Sequence, residues 1–344
     1  MNSRNSRFTV RPAVPQDNAG IREIYESGSS GGGIALQYLR GEMPLDSLKA
    51  DGDDARILTA EETETGRLAA VGGAVLRTEY LGGIPTRCAY LTGLKIHPDY
   101  QGKFSRIAES YHLLGQQLQD CACCYSIIPD SDARAIRMFE KHHRNMPEYR
   151  YLGHYTTYCF HGGRKLLPLR TDKTEGFETL LHMYYSQFSL TPCRPDYPGF
   201  GRQRFYSYRK KGELIACCYV GDQHQTKQYK LCSYSGISRT LAKLPVQLLG
   251  FPQLPEEGKI IRHGVVSYLY VKDNNPTICR HFLRSVAAAS GFPVLIWGAF
   301  ETHPLCKALS RMPAIRYGSR LYEVLWNGAA PAISGKIGME AALL

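Results

Sequence analysis

The sequence predicts an α+β fold made of two tandem units. Strand, turn, helix, strand, helix and strand patterns occur in that order twice, at a separation of roughly 165 residues, which is a repeat on the scale of a domain. The chain of 344 residues is also too long for a single typical core. Its 43% hydrophobic and 21% charged residues are ordinary for a globular protein. We therefore predict units over residues 1–162 and 163–330, followed by a tail over residues 331–344.

The first unit opens with an alternating strand over residues 8–11, and Asp17 is the predicted N-cap of the helix that follows. Strands over 56–60 and 67–76 surround a hairpin turn, and the doublet at 72–73 predicts a bulge or a close backbone approach. The same periodicities predict the rest of the unit, namely a strand over 89–97, a helix over 104–114, a strand over 123–128, a helix capped by Ser131 or Asp132, and a strand over 149–160.

The second unit repeats this order with different side chains. Residues 162–165 form the predicted hinge, and the Leu- and Pro-rich segment 241–258 is interpreted as an insertion because it has no counterpart in the first unit. The predicted elements are a helix over 177–188, a hairpin turning at 211–212, a strand over 265–272, a helix beginning at 275–276, a strand over 294–299, a helix over 305–309 and a strand over 321–326.

The formal charge of +11 indicates an anionic partner or a generally basic surface. The densest basic run, residues 202–211, falls at a hairpin without a recognised nucleic-acid module, so a phosphorylated cofactor is preferred over nucleic acid. No apolar run is long enough to span a bilayer, and the polar N-terminus does not resemble a secretory signal. The eleven cysteines are then expected to be small buried hydrophobes of a cytoplasmic protein, and they offer no zinc-ligand spacing. The oligomeric state is left open by the sequence.

The most informative segment is YLTGLKIHPDYQGK, residues 90–103. An apolar strand runs into a tight polar turn, and the turn leads directly into an amphipathic helix. The first amides of such a helix have no intrahelical partner, and its dipole favours negative charge. Because Gly102 permits close backbone approach and Lys103 adds positive charge, the segment predicts an anion site that suits a pyrophosphate.

This segment resembles the central motif of the GNAT superfamily of acyl-CoA N-acyltransferases, in which an apolar strand precedes His-Pro-Asp-Tyr, then Arg or Gln, and Gly. The order of elements over residues 8–160 is similar too, whereas the second unit follows the pattern only in outline. The resemblance implies a central, mixed and mostly antiparallel sheet flanked by helices. It implies a splay in this sheet that admits the pantetheine arm of acetyl-CoA or another acyl-CoA. The implied acceptor is an amine of a small molecule or a peptide.

The same resemblance assigns roles to individual residues. Its backbone contacts to the pantetheine amides fall on Leu94, Lys95 and Ile96. Asp132 matches an Asn that the family places on the later helix. The residues of the implied pyrophosphate turn are Gln101, Gly102, Lys103, Phe104, Ser105 and Arg106.

Three positions depart from the family pattern. Phe104 and Arg106 stand where the family prefers glycine or another small residue, and a side chain there can obstruct the phosphate, although Arg106 can instead pair with it. Phe139 matches the tyrosine that usually protonates the leaving thiolate, and Phe139 has no proton to give. Alternative acids are Tyr125, Tyr149 and Tyr151.

Attack of a neutral amine on a thioester also requires a base for the amine proton. Tyr90 matches a strand position that some family members use for this purpose, and Glu79 near the end of its strand is a second candidate. The structural alternatives are a half-buried strand aromatic for Tyr90 and a solvated charge for Glu79.

These observations favour an N-acyltransferase, with acetyl transfer as the simplest version. One alternative is a non-catalytic binding protein derived from a GNAT ancestor, which the departures at Phe104, Arg106 and Phe139 would explain. Another is a tandem transferase of aminoacyl groups. Tandem members of the superfamily commonly keep one working half. Because the corresponding turn of the second unit, residues 272–276, lacks glycine and carries an acid, the acyl-CoA site is predicted in the first unit.

Overall fold

The computed structural model describes residues 7–29, 31–141, 143, 145–162, 165–171, 176–242, 244–326 and 328–344. The elements of the first unit are the strands β1 (Phe8–Pro12), β2 (Ile34–Leu39), β3 (Asp54–Glu62), β4 (Leu68–Leu81), β5 (Ile84–Ile96), β6 (Cys123–Pro129) and β7 (Glu148–Phe160), and the helices α1 (Asn18–Glu26), α2 (Pro44–Lys49), α3 (Ile107–Gln117) and α4 (Ala133–Phe139). Those of the second unit are β8 (Thr191–Pro192), β9 (Arg202–Lys210), β10 (Glu213–Asp222), β11 (Gln228–Tyr234), β12 (His263–Val271), β13 (Val294–Phe300), β14 (Ile315–Leu325), α5 (Phe177–Met183), α6 (Ile237–Leu241), α7 (Pro276–Ser290) and α8 (Cys306–Leu309).

A single main sheet runs through both units in the order β1-β3-β4-β5-β6-β14-β7-β13-β12-β10-β9, with β8 beside β4. Its ladders are antiparallel except for β5–β6 and β12–β13. The sheet is flanked by helices, so the predicted α+β fold with a mixed, mostly antiparallel sheet is confirmed.

The strand order is symmetric about the central pair formed by β14 and β7. On either side of this pair, β6 corresponds to β13, β5 to β12, β4 to β10 and β3 to β9. Each unit therefore places its last strand against the other unit, since β14 pairs with β6 and β7 pairs with β13. The boundary between residues 162 and 163 stays a prediction, and residues 163 and 164 of the predicted hinge lie outside the described residues.

The two faces of the sheet are covered by different elements. Successive side chains alternate between faces, so β5 directs Leu91 and Tyr90 to opposite sides. Leu91 belongs to a buried cluster with residues of α3 and α4, including Leu114. Tyr90 belongs to a cluster on the other face, which the tail covers with Ile337. The helices α1 and α2 pack on residues of β3 and β4 in a further cluster.

Several local predictions are confirmed. Asp17 is the N-cap of α1, and Asp132 caps α4 by accepting a hydrogen bond from the Ala135 amide at 2.9 Å. Gly73 lies at a register shift between β4 and β5, and a Cβ built there would come within 2.3 Å of the Arg56 carbonyl oxygen. Asn275 caps α7, with Pro276 at the first helical position. No helix in the described part of the chain is long and apolar enough to cross a membrane.

One prediction is wrong in its bounds, and the tail has a structure that was not predicted. The insertion begins earlier than residue 241, because all of 223–262 separates β10 from β12 and contains both β11 and α6. The strand β11 pairs with β2 in a two-stranded ribbon that lies outside the main sheet. The tail, for which no structure was predicted, is packed into the core through Ile333, Ile337 and Met339.

Candidate active site

The ladder between β5 and β6 is short. The two strands pair in parallel from Cys88 opposite Cys123 to Leu91 opposite Ser126, and no further pair forms between them within the described residues 31–141. The Ser126 hydroxyl donates a hydrogen bond to the Leu91 carbonyl at 3.1 Å and so closes the last rung. Beyond this rung β5 keeps its partner β4 while β6 keeps β14, so the sheet is splayed at this point.

A β-bulge lies in β5 just past the last rung. Thr92 pairs with Gly73 and Lys95 with Val71, so Gly93 and Leu94 together face one residue of β4. Gly93 has a φ of 71°, a left-handed conformation that glycine adopts without steric cost. The Tyr25 hydroxyl of α1 lies 3.4 Å from the Gly93 carbonyl oxygen, to which it donates a hydrogen bond.

The turn that follows β5 is held by local hydrogen bonds. His97 Nδ1 accepts a bond from the Asp99 amide at 3.2 Å, and the amides of Lys103 and Phe104 both donate to the Tyr100 carbonyl at 3.0 Å. Gly102 has a φ of 77° and no atom within 4 Å of a Cβ built on it. The surface next to this glycine is therefore open.

The helix α3 begins directly after this turn. Its Ser110 amide donates to the Arg106 carbonyl at 2.9 Å, so the amides of residues 107–109 precede the first amide that donates within the helix. The N-cap residue Arg106 makes no side-chain cap. Three amides and the positive end of an 11-residue helix thus follow the turn that contains Gly102, which is an arrangement suited to a phosphate group.

The structure shows where the side chains of the predicted pyrophosphate turn lie. The Phe104 ring packs edge to face on Phe8 of β1, at a centroid distance of 5.4 Å. It shares a cluster with Phe8, Ala69 and Tyr100, at the β1 side of the sheet. Arg106 pairs with Glu109 at 2.9 Å within α3. The remaining members, Gln101, Gly102, Lys103 and Ser105, are exposed.

The predicted pantetheine contacts lie on the splayed part of β5. Leu94 is 43% exposed, whereas Ile96 is partly buried. The Lys95 ammonium donates to the Tyr25 carbonyl at 2.7 Å, and burial lowers the pKa of this lysine. Asp132 lies at the start of α4, where its carboxylate serves as the helix cap.

Glu79 and Tyr90 lie on the same face of the sheet and are linked through Tyr125. The Tyr125 hydroxyl donates to Glu79 Oε1 at 2.7 Å, and its ring lies 5.3 Å from the ring of Tyr90. Glu79 is 1% exposed and Tyr90 is 4% exposed, so neither the solvated charge nor the half-buried aromatic is found. Burial raises the pKa of Glu79 to about 7 and also raises the pKa of Tyr90.

Arg77 completes this group, and it was not among the predicted site residues. Its Nη2 donates to the Tyr125 hydroxyl at 2.9 Å, and its guanidinium carbon lies 5.1 Å from the centre of the Tyr90 ring. Arg77 Nε is 3.2 Å from Glu79 Oε1 but makes no hydrogen bond, and Glu79 Oε2 has none among the described residues. The available signal was the spacing of Arg77 and Glu79, which places two charged side chains on one face of an apolar strand.

Phe139, which matches the tyrosine that protonates the thiolate in the GNAT pattern, makes apolar contacts in the core. Phe139 stacks on Tyr149 at a centroid distance of 4.4 Å in the core beneath α4. The Tyr149 hydroxyl is 2.6 Å from that of Tyr111, so these two hydroxyls pair with each other. Tyr151 is 46% exposed and lies on β7. Of the alternative acids, Tyr125 alone contacts the group around Glu79 among the described residues.

The second unit has a corresponding splay between β12 and β13, and there the tail contacts the bulge. The β12–β13 ladder ends at Val265 opposite Ile296, and Tyr268 has a φ of 50° at the bulge position that corresponds to Gly93. The Tyr268 amide donates to Glu340 Oε1 of the tail at 2.9 Å. The first amides of α7 are capped by Asn275, whose side chain accepts bonds from residues 277 and 278. In the second unit, therefore, the tail accepts a hydrogen bond from the bulge amide and a side-chain cap occupies the first amides of the helix.

The parallel splayed pair, the bulge just past its last rung and the helix N-terminus after the turn define the fold class. The chain has two copies of the fold of GNAT-type acyl-CoA N-acyltransferases, with exchanged last strands. Within the described ranges, no three His, Cys, Asp or Glu side chains converge as metal ligands would.

Comparisons with known proteins agree with this fold. The chain is similar to N-myristoyltransferase of Saccharomyces cerevisiae with bound myristoyl-CoA, at a TM-score of 0.58 and 10% identity, over 97% of this chain and 89% of that one. It is also similar to a GCN5-related N-acetyltransferase from Sphaerobacter thermophilus, at a TM-score of 0.52 and 13% identity, over 95% of this chain and 99% of that one. No protein-family model and no curated protein sequence matches the chain.

Proposed function

We propose that the protein transfers an acyl group from acetyl-CoA or a longer acyl-CoA to an amine of a small molecule or a peptide. The observation that carries this proposal is a splay between β5 and β6 together with the amides of residues 107–109, which begin the helix that follows β5 and its turn. A phosphorylated thiol carrier needs both features, because its pyrophosphate requires donors and its narrow arm requires a gap between strands. Solved structures with this fold include one with bound myristoyl-CoA.

In this proposal the residues of the turn and of β5 hold the donor. The amides of residues 107–109 and the exposed Lys103 bind the pyrophosphate, and the backbone of Leu94, Lys95 and Ile96 lines the arm. The acyl-CoA supplies an activated thioester carbonyl. The bulge at Gly93 turns the backbone toward that carbonyl, and Tyr25 holds the bulge from the opposite side.

We assign proton uptake to Glu79. The amine nitrogen forms a bond to the thioester carbon, the carbon–sulfur bond breaks, and the amine loses one proton. A carboxylate with a pKa of about 7 is well matched to accept this proton near neutral pH. Tyr125 relays the proton because its hydroxyl already contacts Glu79, and the ring of Tyr90 packs beside that of Tyr125. The thiolate takes its proton from solvent, since Phe139 has none to give.

The test is an acyl-transfer assay in which free CoA is measured with acetyl-CoA and a panel of amines. The expected result is amine-dependent CoA release that falls about 100-fold or more in Glu79→Gln, the usual size of a lost general base. Glu64→Gln, in the exposed turn between β3 and β4, is the control and should keep full activity. Turnover that does not change in Glu79→Gln would contradict the assigned base.

A second candidate function is binding of acyl-CoA without transfer. The burial of Phe139 against Tyr149 favours it, because the family position for the thiolate acid is then purely structural. In that case acetyl-CoA should stabilise the protein, and no amine in the panel should release CoA.

The cytoplasm is the proposed location. All eleven cysteines are free thiols, and seven of them are buried, which fits small apolar side chains in a reducing compartment.

A further inference from the structure

The β2–β11 ribbon covers the same face of the sheet as Tyr90. Leu231 and Tyr234 of β11 pack with Cys159 of β7 and Val294 of β13 in one cluster. Each unit contributes one strand to the ribbon, and no strand of it is paired with the main sheet. All six residues of β2 are only partly buried. Since two-stranded ribbons are marginally stable by themselves, the ribbon is an element that can admit a ligand beneath it.

Two polar atoms without partners belong to the end of β2 and the residue after it. Tyr38 Oη and Arg40 Nε are both buried and have no hydrogen-bond partner among the described residues. The guanidinium carbon of Arg40, a residue only 3% exposed, lies 5.2 Å from the centre of the Tyr38 ring. Native proteins pair nearly all buried polar atoms, so two unpaired donors on side chains that pack against each other indicate a place for an acceptor.

The Nη1 atom of Arg40 is hydrogen-bonded to two residues, which fixes the position of the guanidinium. Its Nη1 donates to Asp51 Oδ2 at 2.6 Å and to the Ser47 carbonyl at 3.2 Å. Lys227 lies 2.8 Å from Asp51 Oδ1 and also donates to the Ala342 carbonyl at 2.6 Å. Asp51 is therefore shared between two cations, and Arg40 keeps charge that is not neutralised by a carboxylate of its own.

A continuous set of contacts joins these donors to the proposed acyl-donor site. Tyr25 contacts the Gly93 carbonyl of the bulge through its hydroxyl and Lys95 through its own carbonyl. The next residue of α1, Glu26, accepts a hydrogen bond from Gln37 of β2. The charge of Arg40 also acts on the Tyr25 hydroxyl, where it partly offsets the rise that burial gives the pKa of Tyr25, so the unpaired donors lie near the helix that holds the bulge.

Building on the proposed function, we propose that the amine acceptor carries a carboxylate, which binds Arg40 Nε and the Tyr38 hydroxyl beneath the ribbon. A carboxylate has acceptors only, and a guanidinium N–H with a hydroxyl supplies the two donors it needs. The acceptor class is then an amino acid or a peptide with a nearby carboxylate. Its amine extends toward the bulge at Gly93.

The experiment compares matched amines as acceptors. Phenylalanine and phenethylamine differ only by the carboxylate, and 2-aminoethyl phosphate tests a phosphate in its place. The variant is Tyr38→Phe, which removes one unpaired hydroxyl and leaves the ion pairs of Arg40 intact. The control is Tyr234→Phe in the same ribbon, because its hydroxyl donates to the Pro255 carbonyl at 2.8 Å.

The expected result is a lower KM for phenylalanine than for phenethylamine in the natural protein. Tyr38→Phe should raise the KM for phenylalanine about tenfold, as for a lost hydrogen bond to a charged group, and leave phenethylamine and kcat unchanged. Tyr234→Phe should change neither. Equal KM values for the two amines, a preference for the phosphate, or an unchanged preference in Tyr38→Phe would overturn the proposal.

A binding measurement separates this proposal from the proposed function. Phenylalanine should raise the melting temperature of the natural protein without any acyl-CoA, and the rise should be lost in Tyr38→Phe. If phenylalanine binds in this way and no acyl group is transferred, the transferase assignment fails and the carboxylate site stands. If acyl transfer occurs and phenylalanine gives no Tyr38-dependent rise, the carboxylate site fails and the transferase assignment stands.

Discussion

Glu79 is held between an aromatic hydroxyl and a guanidinium in the interior of the sheet. Tyr125 donates to it at 2.7 Å, while Arg77 lies nearby without a hydrogen bond to it. Burial disfavours the carboxylate, and this effect exceeds the attraction of Arg77, so the pKa rises from 4.5 to about 7. The folded protein therefore keeps a proton on Glu79 that the unfolded chain releases at lower pH.

The first prediction follows from this difference in proton binding. Between pH 5 and pH 8 the folded state holds more protons on Glu79 than the unfolded state, so Glu79 lowers stability as the pH rises. Glu79→Gln removes this term. The free energy of unfolding of Glu79→Gln, relative to the natural protein, should thus be about 2 kcal/mol higher at pH 8 than at pH 5. Urea unfolding at both pH values measures it, and an equal difference at the two would contradict the buried acid.

Single residues of the site were predictable only where a local motif marks them. Gly102 and Lys103 follow from the turn in their own segment, and Glu79 and Tyr90 were selected as candidates. The contact of Arg77 with Tyr125 could not be predicted, because it joins residues 48 positions apart through the register of three strands. The unpaired donors of Tyr38 and Arg40 depend on a ribbon whose partner strand lies in the other unit.

At the scale of elements, each unit has a tyrosine of its own that supports the bulge. Tyr25 of α1 donates to the carbonyl of Gly93, and Tyr185, which follows α5, donates to the carbonyl of Tyr268. Both bulge residues have positive φ, at 71° and 50°. A non-glycine residue in this region carries strain, so the second unit maintains the bulge at a conformational cost.

The second prediction tests how closely Tyr25 packs on the bulge. A Cβ at Gly93 would come within 2.4 Å of the Tyr25 hydroxyl oxygen, whereas one at Gly82, also at positive φ, meets nothing within 4 Å. Gly93→Ala should lower the free energy of unfolding by about 2–4 kcal/mol, from strain and clash together, and Gly82→Ala by only about 1 kcal/mol from strain.

The double variant Gly93→Ala with Tyr25→Phe isolates the clash. Removal of the hydroxyl takes away the closest atom, so the double variant should recover at least about 1 kcal/mol of the loss in a double-mutant cycle. Additive effects of the two changes would show that the bulge does not press on Tyr25.

Elements with a strong period were predicted well, and those without one were missed. The strands β4 and β5 and the helix α3 were placed from apolar alternation and helical spacing. The sequence IALQYL of β2 does not alternate, and all its residues are partly buried, so neither period is visible. The strand β11 could not be predicted either, because it pairs with β2 of the other unit and this pairing leaves no local pattern in the sequence.

At the scale of the whole molecule, the tail holds the two halves together. Ile337 is buried in the cluster that contains Tyr90 of the first unit. Leu343 is buried in another cluster with Phe177 and Tyr268 of the second unit. Both halves of the sheet thus bury apolar surface against the same short segment. The repeat predicted two units, but it could not predict the exchange of β7 and β14, because exchanged and unexchanged strands have the same sequence pattern.

The third prediction concerns this segment. Ile337→Ala and Leu343→Ala should each lower the free energy of unfolding by about 2–4 kcal/mol, since each leaves a cavity in a buried cluster. Leu244→Ala, at a residue 49% exposed, should change it by less than about 0.5 kcal/mol. Both tail variants should keep one cooperative unfolding transition for the two units. Two separate transitions in the natural protein would show that the tail does not couple them.

The proposed donor site combines a gap in the sheet with the N-terminus of α3. Binding of acetyl-CoA to this site can be measured through the melting temperature and the free energy of unfolding. Acetyl-CoA at 100 times its dissociation constant should add about 2.7 kcal/mol of stability to the natural protein. Gly102→Glu should abolish this gain, because it places a carboxylate beside the amides that would hold the pyrophosphate.

The matched control is Gly212→Glu, at a glycine that also has positive φ and open surroundings but lies in the β9–β10 hairpin. We expect Gly212→Glu to keep the full acetyl-CoA-dependent increase in the free energy of unfolding, and Gly102→Glu to lose it. An absence of any gain in the natural protein, or a gain that survives in Gly102→Glu, would contradict the proposed donor site.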